Sequence, residues 1–137
     1  MCPSRHNKSV GIKAKGKKIL IVEDEELLSE MYREVFEREG FAVSTATTGQ
    51  EALRVAEKEK PDFVLLDILL PGDNGLYFLE QRRSNPGIAK IPVVAFSNFD
   101  DPNIKKSAFK LGVKDYLIKT DYTPQEVVEK VTKYAVG

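Results

Sequence analysis

Five short apolar runs, each separated from the next by a stretch of helical periodicity, constrain this chain more than any other feature. The runs are KILIV (18–22), AVSTA (42–46), DFVLL (62–66), IPVVAF (91–96) and KDYLI (114–118). Apolar runs of this length, bounded by turn formers, suit strands covered on both faces. Between and after them helices are expected over about 26–39, 48–59, 75–84, 103–111 and 124–135. The last has a full start signal, with Thr123 as N-cap, Pro124 in the first turn and Glu126 three positions after the cap, a capping box. Asp101-Pro102 opens the fourth helix in a similar way, and Gly40 and Gly112 stand where helix C-caps belong.

Strands alternating with helices predict an α/β fold, a doubly wound parallel sheet of five strands with five helices over its two faces. Right-handed crossovers leave few strand orders, and the flavodoxin-like order 2-1-3-4-5 is the expected one. With 137 residues there is room for one such domain, placed at 17–137. Residues 1–16 mix Pro, Gly, Ser, Asn and Lys with no apolar period and are expected to form a mobile basic tail.

The formal charge is zero but unevenly spread, because residues 1–18 hold six Lys or Arg and no acid. The remainder is therefore acidic, which argues against nucleic acid as a ligand of the domain itself, since phosphate-backbone binding needs clustered bases. Cys2 is the single cysteine, so an internal disulfide or a multi-cysteine metal site is excluded. No apolar run has the roughly 20 residues that cross a bilayer, and no secretory signal opens the chain. A soluble, cytoplasmic protein without membrane contact is the expectation.

Chemistry concentrates where strands end. In PDFVLLDILLPGDNG (61–75) a buried run stops at one acid, Asp67, continues through Ile68 to Leu70 and breaks at Pro71-Gly72. The position after a parallel strand lies at the sheet's carboxyl edge, where open α/β proteins bind ligands. If strands 1 and 3 are neighbours, Glu23 and Asp24 at the end of the first strand come close to Asp67. Three like charges raise one another's pKa and favour a cation between them. All-oxygen donors without His or Cys point to a hard divalent ion, Mg²⁺ or Mn²⁺, one that takes part of its shell from phosphate. Ser97 and Lys119 end the fourth and fifth strands with a hydroxyl and a cation suited to phosphoryl oxygens. Taken singly, each of these residues has an ordinary structural explanation as cap, dipole partner or solvated charge. Their coincidence at four strand ends is harder to explain that way.

In these motifs the chain resembles the receiver domain of two-component response regulators, over about residues 17–135. ILIVEDE, PDFVLLDILLPGDNGL, VVAFS and DYLIK stand in the family's order. The resemblance implies that Asp67 is the phosphoacceptor and that Glu23, Asp24, Asp67 and the backbone carbonyl of Leu69 hold the metal. It implies that Ser97 is the switch hydroxyl, Lys119 the lysine that contacts the phosphoryl group, and Tyr116 the aromatic that turns inward when the switch closes. Gly75 matches a glycine at which the backbone needs room. The implied partners are a sensor histidine kinase or a histidine phosphotransfer protein as donor, and a downstream protein target. Output would run through helix 103–111, strand 114–118 and helix 124–135, the surface on which a phosphorylation-dependent dimer would form. No effector domain follows Gly137, so noncovalent contact or phosphoryl relay is the expected route.

Some positions depart from that pattern. Thr120 stands where a proline usually follows the lysine, so the Lys119–Thr120 peptide is either trans or a strained cis bond, at roughly 2.5–4 kcal/mol for a non-proline. Asn98 is larger than the small residue expected after the hydroxyl. Leu69 and Phe99 put apolar bulk beside Asp67, where they are expected to obstruct the in-line water and lengthen the life of a phosphoryl group. Three other functions fit less well. A phosphatase of the haloacid-dehalogenase type needs a second Asp at position 69, which is Leu; a calcium loop needs ligands where Leu69 and Pro71 stand; a flavin module needs a phosphate loop where Glu23 and Asp24 would repel the phosphate. A pseudo-receiver that only binds a partner would not need the full set of Glu23, Asp24, Asp67, Ser97 and Lys119.

Overall fold

The structure is a computed structural model and describes residues 15–70, 74–98 and 100–136. Most of the expected tail, and Phe99, lie outside the described residues. Five strands alternate with five helices: β1 (Lys18–Val22), α1 (Glu26–Arg38), β2 (Ala42–Ala46), α2 (Gly49–Glu59), β3 (Phe63–Asp67), α3 (Gly75–Arg83), β4 (Val93–Ser97), α4 (Pro102–Lys110), β5 (Asp115–Ile118) and α5 (Pro124–Val136). The sheet is parallel with order β2-β1-β3-β4-β5, as the alternation of elements predicts.

Strand periodicity divides the core in two. Leu20, Val22, Val64, Leu66, Val93 and Ala95 belong to one buried cluster, which α2, α3 and α4 complete with residues such as Ala52, Phe78 and Ala108. Ile19, Ile21, Phe63, Leu65, Val94 and Phe96 belong to the other, completed by Tyr32, Phe36, Val127 and Val131 of α1 and α5. Burial of each large side chain contributes about 1.5–3 kcal/mol, so both faces must be covered before so apolar a sheet is stable in water. Every residue of β3 and β4 is buried, as expected for strands in the middle of the sheet.

Three strands end or begin elsewhere than in the sequence reading, β5 by starting at Asp115 rather than Lys114. β3 begins at Phe63 because Asp62 serves as a turn residue, its carboxylate accepting from the Lys18 backbone N–H at 2.8 Å. It also runs one residue further, so Asp67 is the last residue of the strand and pairs in register with Phe96. β4 begins at Val93, after Pro92, which has no N–H to give to a ladder. The cap assignments stand: Asp101 Oδ1 accepts from Asn103 and Ile104, and Gly40 and Gly112 have φ of 100° just past their helices. Thr48 lies outside α2 as its N-cap, accepting from the Glu51 N–H.

Candidate functional site

Register and side-chain parity bring the site together. Along a strand alternate residues share a face, so Glu23 continues the row of Ile19 and Ile21, and Asp67 the row of Phe63 and Leu65. Phe96 and Lys119 continue the rows of Val94 and Leu117 in the same way. All four rows face α1 and α5, and at the carboxyl edge the two acids and the lysine meet beside the Phe96 ring. Carboxylate oxygens of Glu23, Asp24 and Asp67 all lie within 4.8 Å of one another.

The Lys119 ammonium sits among them, donating to Glu23 Oε1 at 2.7 Å and to Asp67 Oδ2 at 3.0 Å. Its Nζ is also 4.6 Å from the centroid of the Phe96 ring, close enough for a cation–π contact. The Lys119 side chain, a strand-end cation in the sequence, is 8% exposed here. Asp67 is 4% exposed and Glu23 1% exposed. Two backbone amides supply the remaining donors: the Leu69 N–H donates to Asp67 Oδ1 at 3.0 Å and the Glu25 N–H to Glu23 Oε2 at 3.0 Å.

One ammonium does not balance three carboxylates. Burial raises the Asp67 pKa, Lys119 and the Leu69 amide pull it back in part, and the charge of Asp24 adds to the rise. Burial likewise raises Glu23 against the pull of Lys119 and the Glu25 amide. Burial by itself would lower Lys119, but its hydrogen bond to Glu23 and the charges of Asp67 and Glu23 outweigh burial and raise it. The ammonium is thus held charged while the pocket keeps an excess of negative charge. That excess is what a divalent cation would neutralise, and the donor set is the all-oxygen set that Mg²⁺ or Mn²⁺ takes. Asp24 is exposed at the mouth, and Leu69, 39% exposed, stands beside Asp67.

Ser97 and Tyr116 form a second pair at the same edge. Ser97 continues the row of Val93 and Ala95, the opposite face of the sheet, and Tyr116 sits opposite Ala95 in register. Their side chains therefore share a face and are hydrogen-bonded to each other. Ser97 is fully buried and Tyr116 is 5% exposed.

Gly75 is a matter of space. A Cβ there would stand 2.8 Å from the Asp67 carbonyl oxygen and from Ile68 Cα, and the Gly75 N–H donates to the Ile68 carbonyl at 2.9 Å. The start of α3 is thereby held against the end of β3, with Asn74 as its N-cap. The Lys119–Thr120 peptide is trans, and Lys119–Asp121 forms a 3₁₀ turn. Sequence reasoning did not single out Phe96 or Tyr32, whose rings stack edge to face at 5.5 Å under Lys119. Both read as ordinary core residues, and only the parity of β4 could have placed Phe96 beside the lysine.

Comparison with known proteins agrees with this geometry. The family profile described as "Response regulator receiver domain" matches residues 19–132. The alkaline phosphatase synthesis transcriptional regulatory protein PhoP of Bacillus subtilis is 37% identical over 115 residues, which cover 84% of this chain and 47% of that protein. The chain spans about half the length of the curated relatives it matches. Among solved structures, a putative response regulator from Chloroflexus aurantiacus superposes with a TM-score of 0.80 at 31% identity, covering 90% of this chain and 100% of that one. The Mn²⁺-bound form of response regulator Rcp1 gives a TM-score of 0.70 at 25% identity, covering 88% and 90%. No helix among the described residues is long and apolar enough to cross a membrane.

Proposed function

Since the chain belongs to the response regulator receiver domain family, we propose that it is a phosphorylation-driven switch of a two-component system, with Asp67 as phosphoacceptor. The observation that carries this reading is the meeting of Glu23, Asp24 and Asp67 carboxylates within 4.8 Å of one another, with the Lys119 ammonium on two of them.

Asp67 provides the nucleophile. A carboxylate oxygen attacks the phosphorus of a phosphohistidine, the P–N bond breaks, and the electron pair leaves on the imidazole nitrogen, which takes up a proton. A sensor histidine kinase or a histidine phosphotransfer protein is the donor partner, and a small phosphodonor such as acetyl phosphate can replace it. Glu23, Asp24, Asp67 and the Leu69 backbone carbonyl would hold Mg²⁺ or Mn²⁺, which when bound supplies neutralisation of phosphoryl charge. Lys119 adds a fixed positive charge on the protein side, and the buried hydrogen bonds around it keep it in place as charge develops on the phosphoryl oxygens. The chain thus acts on itself and does not turn over a separate substrate; at position 69, where a phosphatase would need an acid, it has Leu.

The Ser97–Tyr116 hydrogen bond links the acceptor edge to the output surface. A phosphoryl oxygen on Asp67 competes for the Ser97 hydroxyl, and loss of the Ser97 bond frees Tyr116 to resettle between β4 and the face formed by α4, β5 and α5. That face meets the downstream protein or a second phosphorylated copy.

Intact-mass measurement after incubation with acetyl phosphate and Mg²⁺ tests the reading. Wild type should gain the mass of one phosphoryl group and Asp67→Asn should gain none. A wild-type mass that stays constant, or an equal gain in the variant, overturns it.

A further inference from the structure

At the opposite end of the sheet from Asp67, the C-terminal ends of α3 and α4 and the starts of β4 and β5 line an open pocket of about 440 Å³. Its charged lining is Arg82, Arg83, Lys90, Lys110 and Lys114, with no acidic side chain. Bases in a helix's last turn complement its dipole, which accounts for Arg83 and Lys110. The dipoles do not account for Lys90 and Lys114, which lie outside the helices, or for the state of Arg82.

Arg82 is 7% exposed and has no carboxylate partner among the described residues. Its Nε and Nη2 both donate to the Ile91 carbonyl, at 3.1 and 2.7 Å. Nη1 has no hydrogen-bond acceptor among the described residues. It lies 3.8 Å from where a Cβ on Gly112 would stand, and Gly112 lines the same pocket. A buried guanidinium without a counter-ion is costly unless an anion completes it. Burial lowers its pKa, in keeping with an uncompensated charge.

We propose that this basic pocket binds a small oligophosphate, a ligand carrying two or more adjoining phosphate groups. A guanidinium fork fits phosphate oxygens, and four flexible cations around it suit a ligand of several negative charges. The volume is that of a small-molecule site, which favours a compact polyanion over an extended nucleic acid. The same chemistry is offered by an inorganic chain and by the phosphates of a nucleotide.

Isothermal titration calorimetry on the full chain in metal-free buffer distinguishes the two sources, with tripolyphosphate in one arm and ATP in the other. Saturable one-to-one binding in either arm, weakening as salt is added, is the expected result, and the tighter arm identifies the source. Lys110→Glu/Lys114→Glu should bind roughly tenfold more weakly or worse, while still accepting phosphate from acetyl phosphate as wild type does. Arg82→Met should also lose binding, and if it fails to fold the double lysine variant decides. Absence of saturable binding in both arms, or unchanged affinity in a folded double variant, overturns the proposal.

Discussion

At the scale of single residues, Asp67 sets the cost of the site. It sits at the end of a strand with every residue buried, beside Glu23 and Asp24, with one ammonium to share. Burial raises the pKa of Asp67 and Glu23 above their ordinary values of 3.8 and 4.5. The folded chain therefore holds more protons than the unfolded one between those ordinary values and the raised ones. In that window the contribution of these carboxyls to stability falls as pH rises and recovers on acidification. Asp67→Asn removes the larger part of the repulsion. The metal-free variant should be more stable than wild type at pH 7, by on the order of 1 kcal/mol, with the difference shrinking as pH drops toward 4. Urea denaturation of both proteins across that range measures it. A variant less stable than wild type at neutral pH would show that the Lys119 ion pair outweighs the crowding.

At the scale of elements, the chain's punctuation is mostly local and therefore readable. Thr123 and Glu126 form the expected capping box, the Glu126 N–H donating to Thr123 Oγ1 at 3.1 Å and the Thr123 N–H to Glu126 Oε1 at 2.8 Å. α5 needs that start because its Val127, Val128 and Val131 close the core under the Lys119 side of the sheet. Thr123→Ala should cost about 1 kcal/mol of stability, read from the shift of a denaturation midpoint. Elements whose ends depend on a distant partner were less legible. β3 reaches Asp67 because β4 continues alongside to Phe96 and Ser97. That pairing has no signal within a few residues of itself.

At the scale of the whole molecule, the parity of four strands sorts the carboxyl edge into two groups. Glu23, Asp67, Phe96 and Lys119 meet over α1 and α5, and Ser97 meets Tyr116 on the other face. An uncompensated acidic pocket in a folded chain, absent from the unfolded one, links cation binding to folding. Mg²⁺ at about 100 times its Kd should stabilise the protein by roughly 2.7 kcal/mol, and thermal melts with and without the ion check this. Asp67→Asn should show a much smaller gain, whereas an equal gain would place the ion elsewhere.

The sequence by itself determined the layered α/β architecture, the strand order and the identities of the acidic, hydroxyl and lysine residues at the strand ends. Those follow from hydrophobic period, from turn and cap chemistry, and from the handedness of crossovers, all of which act over short stretches of chain. Tertiary structure decided how those residues are paired. It buried Asp67, set Lys119 over Phe96, joined Ser97 to Tyr116 and left Arg82 without a carboxylate partner among the described residues. Burial and charge balance depend on which side chains arrive from other elements, some as far apart in sequence as Glu23 and Lys119, and no local pattern encodes that.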